Sequence, residues 1–270
     1  MGLVLTDEQE LIAQTAAEFL KENAPITHLR EMRDSEDPVG FSKALWKEMA
    51  ELGWPGIPFE EDLGGAGLGF AELGVVLQEC GRTLAPYPFL STVVLGGGAV
   101  ALAGSEEQKK DILPGLCRGE TFLALAFQES GHFSPWAIQT KAEKTSDGFS
   151  LSGEKTFVLD GHVADRIVVA ARTSGTSGDQ EGITLFLVDP SDEGCKVTRT
   201  IMVDSRNAAS VSLSGVKVAG DGILGEVDGG AVILDAIFDQ ATAVLCSEMV
   251  GLISEVFERR NPSLSASSIA

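Results

Sequence analysis

Between Leu125 and Gly161 the chain concentrates the residue types that a cofactor loop requires. The stretch opens as Leu125-Ala-Phe-Gln-Glu-Ser-Gly-His-Phe-Ser134 and closes as Gly153-Glu-Lys-Thr-Phe-Val-Leu-Asp-Gly161. Two turns carrying glycine and serine are each fed by a strand-like segment, and small residues let backbone N–H groups approach a ligand closely. Thr156-Phe157-Val158 adds a flat aromatic wall for a ring. Other chemistry is poorly supported. Ser152-Gly-Glu-Lys155 spells S-x-x-K, but its companion motifs are missing and Ser152 sits beside a strand rather than at a helix start. Gly64-Gly65-Ala66-Gly67-Leu68-Gly69 has no preceding strand and no following Lys-Ser/Thr, so it reads as a connector and not a phosphate loop. Cys80, Cys117, Cys195 and Cys246 are too scattered for a disulfide framework or a metal site, and are expected to be reduced and mostly buried. The histidines are equally dispersed.

Helices must flank this stretch. Thr6-Asp7-Glu8-Gln9 is a capping box ahead of an apolar face of Leu11, Ile12, Ala16, Phe19 and Leu20, and Pro25 ends that helix. Phe41, Leu45, Met49 and Leu52 mark a second helix that stops at Gly53. Trp54-Pro55-Gly56-Ile57-Pro58 is expected to be an extended loop. Phe70 to Cys80 forms a third helix ending at Gly81. Phe89 to Leu102 is apolar nearly all round and so buried, with Gly96-Gly97-Gly98 indicating close packing. Ser105-Glu-Glu-Gln108 caps a fifth, which ends at Gly119.

After Glu120 the pattern changes to short strands. They are Phe122–Phe127, a hairpin about Asp147-Gly148, Arg166–Ala171, Ile183–Val188, Lys196–Thr200, Ser210–Leu213 and Val216–Val218. Thr173 to Glu181 is an exposed linker. From Gly229 helical spacing returns through Phe257, giving a long apolar-faced helix with no evident partner. The architecture expected is α+β: a helical domain over 1–120, a β domain over 121–226, one helix over 227–260 and an unstructured tail over 261–270.

The bulk properties exclude several function classes. Of 270 residues 44% are hydrophobic, enough for a sizeable core. A net charge of −20 opposes nucleic-acid and anionic-membrane partners. No basic-plus-apolar leader and no apolar run near bilayer length is read, so a cytoplasmic protein is expected. Met1-Gly2-Leu3-Val4-Leu5-Thr6 fits a myristoylation pattern, but Thr6 is better explained as a helix cap.

At Leu125–Ser134 and Gly153–Gly161 the sequence resembles the acyl-CoA dehydrogenase family. Glu51-Leu-Gly53 with the Gly64–Gly69 loop, Ser105 to Gly119, and Gly215-Val-Lys-Val218 with Ile223-Leu-Gly225 match in family order. The resemblance implies a helical N-terminal domain, a β-barrel-like middle domain and the start of a C-terminal helical bundle. It implies oxidation of an acyl-CoA thioester to the 2,3-enoyl-CoA in fatty-acid or steroid side-chain β-oxidation. There a glutamate removes the α-proton and FAD accepts the β-hydride. Electron-transfer flavoprotein or a similar acceptor is the implied redox partner.

Carried over residue by residue, the resemblance assigns FAD contacts to Phe127, Gln128, Ser134, Phe157 and Leu159, and acyl-CoA contacts to Ser134, Phe238 and Asp239. Several positions depart from the family. Gln128 and Leu159 replace threonines that contact the flavin, and Phe157 replaces its tryptophan wall. His132 and Phe133 stand where small residues are usual. The arginine after the Phe-Asp pair falls at Thr242, and one family position for the base is Ala241, so no catalytic residue is assigned. Glu248 and Glu255 lie too far along the helix and are read as solvated; Glu248 is about 10 Å beyond Ala241 at helical rise. The pattern breaks after Arg260, giving the expectation of a family member cut short.

Three readings follow. The chain is a subunit that completes its site with a dehydrogenase partner, as in heteromeric members, or a fragment of a homomeric enzyme. The third reading is a non-catalytic binding protein on the same fold. An uncovered apolar side of the last helix would make the protein oligomeric.

Overall fold

In the computed structural model, residues 4–260 are described. Both the start of the myristoylation pattern and the tail expected over 261–270 lie outside them. The first helix, α1 (Asp7–Asn23), opens on the expected box: Thr6 Oγ1 accepts from Gln9 N–H and Gln9 Oε1 accepts from Thr6 N–H. Ala16 and Leu20 are fully buried, whereas Leu11 faces solvent, so the buried face is narrower than the spacing predicts. Pro25 does not simply end a helix. It starts α2 (Ile26–Asp34), a polar helix with no buried residue. Ser42 caps α3 (Lys43–Glu51), which inserts Trp46 and Met49 into the core. Trp54–Gly56 forms a tight 3₁₀ turn and not an extended loop, because Pro55 sits where a helical start accepts proline.

Next comes α4 (Phe70–Thr83), which continues past Gly81. A π-wound stretch, Phe89–Gly97, runs directly into α5 (Gly98–Ala103), and both are largely buried. A side chain at Gly97 would strike Leu116 and Phe59, which explains the glycines by close packing. Ser105 caps α6 (Glu106–Cys117) through the second capping box.

Among the described residues eight strands build one sheet: β1 (Leu123–Ala126), β2 (Lys141–Lys144), β3 (Gly148–Leu159), β4 (Arg166–Arg172), β5 (Ile183–Val188), β6 (Cys195–Ile201), β7 (Asn207–Ala219) and β8 (Ile223–Leu224). Their order is β6-β7-β3-β2-β4-β5-β8, with β1 parallel to β4. The Asp147-Gly148 hairpin joins β2 and β3 as anticipated. The two strands expected at Ser210–Leu213 and Val216–Val218 are a single strand, β7. Gly215, at φ 70°, carries the chain through an irregularity opposite Leu151 and Ser152.

The last helix, α7 (Gly230–Arg260), does have a partner: it lies along α4. A Cβ at Gly81 would collide with the backbone of Glu248, and one at Gly251 with the backbone of Gln78. The two helices therefore touch backbone to backbone, an approach that only glycine permits. Leu234, Ile237, Ala241 and Val244 fill the core beneath. Val232, Val250, Ile253, Val256 and Phe257 point outward. By length and composition α7 is apolar enough to cross a bilayer, contrary to the expectation from sequence, but here it is docked on α4.

Candidate functional site

The site forms where β1, the end of β3, the π-wound helix and α7 converge. β1 delivers Phe127 and Gln128 as it leaves the sheet. Across from them β3 carries a bulge between Lys155 and Val158, where its pairing with β7 shifts register. Such an extra residue re-aims a side chain. Phe157 takes φ 51° there and is 46% exposed, and Asp160, directly after Leu159, takes φ 50°. Positive φ at non-glycine residues costs roughly 1–3 kcal/mol each and clusters at ligand sites. The bulge is joined to the loop by Thr156 N–H donating to Gln128 O at 2.8 Å.

These residues enclose a cavity of about 350 Å³. Phe127, Gln128, Phe157, Leu159 and Phe238 all line it, so five of the seven positions assigned by resemblance meet at one place. Ser134 and Asp239 do not line it: Ser134 is half-buried in the loop and Asp239 is exposed on α7. The structure adds Leu90 and Leu95 from the π-wound helix, Met202 from the β6–β7 turn, and Leu245 from α7. Helix distortions of the π type often accompany functional sites, and the apolar all-round pattern of Phe89–Leu102 was the only sequence signal for the two leucines.

An aromatic cluster forms the mouth. Phe127 and Phe238 lie 4.8 Å apart between centroids with their planes tilted by 57°, and Phe133 sets its edge on both, at 5.9 and 5.7 Å. Trp136 closes on Phe238 at 6.3 Å. The bulk of Phe133, a departure from the family pattern, is thus used as a wall.

Beneath the loop lies an ion pair. Lys155 is fully buried, with Nζ 2.6 Å from Glu129 Oε1. The same carboxylate accepts from the Thr140 hydroxyl at 2.7 Å and from the N–H groups of Thr140 and Gln139 at 3.0 and 2.7 Å. Burial opposes ionisation of Glu129, but Lys155 and these donors hold its carboxyl below the usual range. Lys155 has few acceptors in return, and burial lowers its ammonium to about 8. The pair ties the loop after β1 to β3. The glycines divide by role: a Cβ at Gly153 would strike Thr140 and one at Gly161 would strike Val158, whereas Gly131 faces open space. Of these three, Gly131 is the one with open space beside its backbone.

Among the described residues, no side chain lining this cavity ionises. Ala241 sits in its wall, and the Thr242 hydroxyl is turned back to Phe238 O at 2.7 Å. Glu248 is not solvated: it is ion-paired with Arg206. Glu255 likewise bonds Arg259 at 2.6 Å and faces Arg82 at 3.7 Å. A second cavity, of about 570 Å³, adjoins the first and shares Leu90, Leu159 and Leu245 with it.

Residues 6–120 match the N-terminal domain of acyl-CoA dehydrogenases, and residues 124–216 match their middle domain. The chain belongs to the acyl-CoA dehydrogenase family. It is 31% identical over 237 residues to the 3-(aryl)acrylate reductase of Clostridium sporogenes, covering 85% of this chain and 61% of that protein. It is 30% identical over 276 residues to the mitochondrial isovaleryl-CoA dehydrogenase of Bos taurus, covering 96% and 62%. Among solved structures, the acyl-CoA dehydrogenase of Geobacillus kaustophilus superposes with a TM-score of 0.84 at 25% identity, covering 96% of this chain and 68% of that one. A steroid ACAD variant gives 0.79 at 31%, covering 92% and 64%. This chain spans 61% and 62% of the length of the two curated relatives.

Membership of this family implies FAD, and the cavity suits one part of that group better than another. The flat aromatic wall of Phe157, the apolar lining and the open backbone at Gly131 fit the face of a flavin ring. The ring edge is less well served. The Gln128 amide is turned to Ser130 O at 2.9 Å, and Leu159 has no donor.

Proposed function

We propose that this chain forms the FAD- and acyl-CoA-facing portion of an acyl-CoA dehydrogenase. The observation that carries the reading is the convergence of Phe127, Gln128, Phe157, Leu159 and Phe238 on one cavity. FAD, when bound, supplies the two-electron acceptor for α,β-dehydrogenation of the thioester. Phe157 presents the stacking face, and Phe127, Phe133 and Phe238 exclude water from the mouth. Glu129 and Lys155 hold the loop that carries Gln128 in place.

A second reading is favoured by a specific observation: among the described residues lining the cavity, none can act as base. On this reading the chain binds cofactor and thioester, and the proton-abstracting group comes from another chain or segment. An electron-transfer flavoprotein would then serve the assembled enzyme, which the outward apolar face of α7 makes oligomeric.

Deuterium exchange at Cα of an acyl-CoA separates the two readings. Both readings expect the chain to bind octanoyl-CoA, measured by calorimetry; exchange by the chain alone supports the first, and exchange only after a dehydrogenase partner is added supports the second. Absence of thioester binding under any of these conditions would reject the site.

A further inference from the structure

Beyond the shared leucines, the second cavity changes character. Its far wall carries Ser91, Asp160, Arg206, Asn207 and Glu248. These are held in defined positions. The Ser91 hydroxyl donates to Asp160 Oδ2 at 2.6 Å, Asp160 N–H donates to Asn207 O at 3.3 Å, and Arg206 pairs with Glu248 across the space between the β6–β7 turn and α7. Burial raises the half-buried Asp160 carboxyl above its ordinary range.

This arrangement sets a chemical requirement. An acyl tail threading past Leu90, Leu159 and Leu245 arrives among groups that need hydrogen bonds. A terminal methyl would displace their water and return nothing, which costs about 1–3 kcal/mol for each polar group left unpaired. A carboxylate tail would face Asp160, Asp204 and Glu248 with Arg206 as the one cation on that wall. A neutral oxygen suits the site best, because it can accept from Arg206 and, as a hydroxyl, donate to a carboxylate.

Resting on the reading above that the first cavity takes the thioester, we propose that the preferred acyl groups carry a hydroxyl or carbonyl oxygen at the distal end of the tail. The second cavity is then a specificity pocket, with Arg206 and Asp160 as its reading residues.

Calorimetry tests this with matched pairs, hexanoyl- through dodecanoyl-CoA against their ω-hydroxy and ω-carboxy counterparts. At the chain length that reaches the pocket, the ω-hydroxy thioester is expected to bind about tenfold more tightly than the plain one. The Arg206→Met/Glu248→Gln double variant, which removes both members of the ion pair together, is expected to erase that preference by tightening the plain thioester toward the ω-hydroxy one. Equal or tighter binding of the plain series by the unaltered protein, or tightest binding of the ω-carboxy series, overturns the pocket while leaving the thioester site standing. Failure of every thioester to bind removes both.

Discussion

Glu129 and Lys155, 26 residues apart in sequence, form a buried pair at 2.6 Å that fastens the loop following β1 to the bulged end of β3. The site depends on this relationship, because Gln128 and Phe157 each lie close in sequence to one partner. Removing one member leaves the other buried and unpaired, a change that costs about 3–5 kcal/mol. Glu129→Gln should therefore lower unfolding stability at neutral pH by about that amount, as read by denaturant titration. The pH sign follows from the lowered carboxyl. Its contribution is complete above the ordinary glutamate value of 4.5 and is lost as pH falls through the lower folded-state value. The gap between wild type and Glu129→Gln should thus narrow in acid. A gap that widens there would contradict the pairing.

The α4–α7 contact predicts a steep glycine effect. Gly251→Ala places a methyl against the Gln78 backbone, so a loss of about 1–3 kcal/mol is expected from overpacking. Val232→Ser, on the outward face, should change stability by less than about 0.5 kcal/mol. Thermal melts of the two variants side by side check the contrast.

The ring-edge deficit predicts a gain. Restoring hydroxyl donors with the double change Gln128→Thr and Leu159→Thr should tighten FAD binding by about tenfold, since each hydrogen bond contributes about 0.5–1.5 kcal/mol. Flavin retained through gel filtration measures it. Unchanged or weaker retention would show that these two side chains do not face the ring edge.

Cysteine reactivity should follow burial. The Cys80 and Cys117 thiols are both pushed up by burial, Cys117 to about 11, whereas Cys246 is exposed on α7. A thiol reagent at neutral pH should label Cys246 first and leave Cys80 and Cys117 unmodified in the folded protein. Mass spectrometry of digested samples identifies the labelled residue. Early labelling of Cys80 would mean that the α4–α7 contact opens.

Much of the fold was legible because its signals are local. The boxes at Thr6–Gln9 and Ser105–Gln108 and the Asp147-Gly148 hairpin each depend on residues within a few positions of one another. α2 was missed because Ile26–Asp34 buries nothing, so it has no apolar period to read. The partner of α7 was missed because glycines reveal close approach only once the opposing backbone is known. In the site, Phe127, Gln128, Phe157, Leu159 and Phe238 were reached through family resemblance, whereas Leu90, Met202 and Leu245 come from distant segments that no spacing connects. Glu248 read as solvated because Arg206 lies 42 residues away and only folding brings it near.

The most direct test of the site is titration of FAD into the purified chain, followed by flavin absorbance and fluorescence, with Phe157→Ala measured in parallel. The wild type should perturb the flavin saturably. Loss of the stacking face should weaken binding by about tenfold, as an aromatic contact contributes about 0.5–1.5 kcal/mol beyond its buried area. A flavin spectrum unchanged by wild-type protein, or identical titrations for both proteins, would contradict the assignment of this cavity.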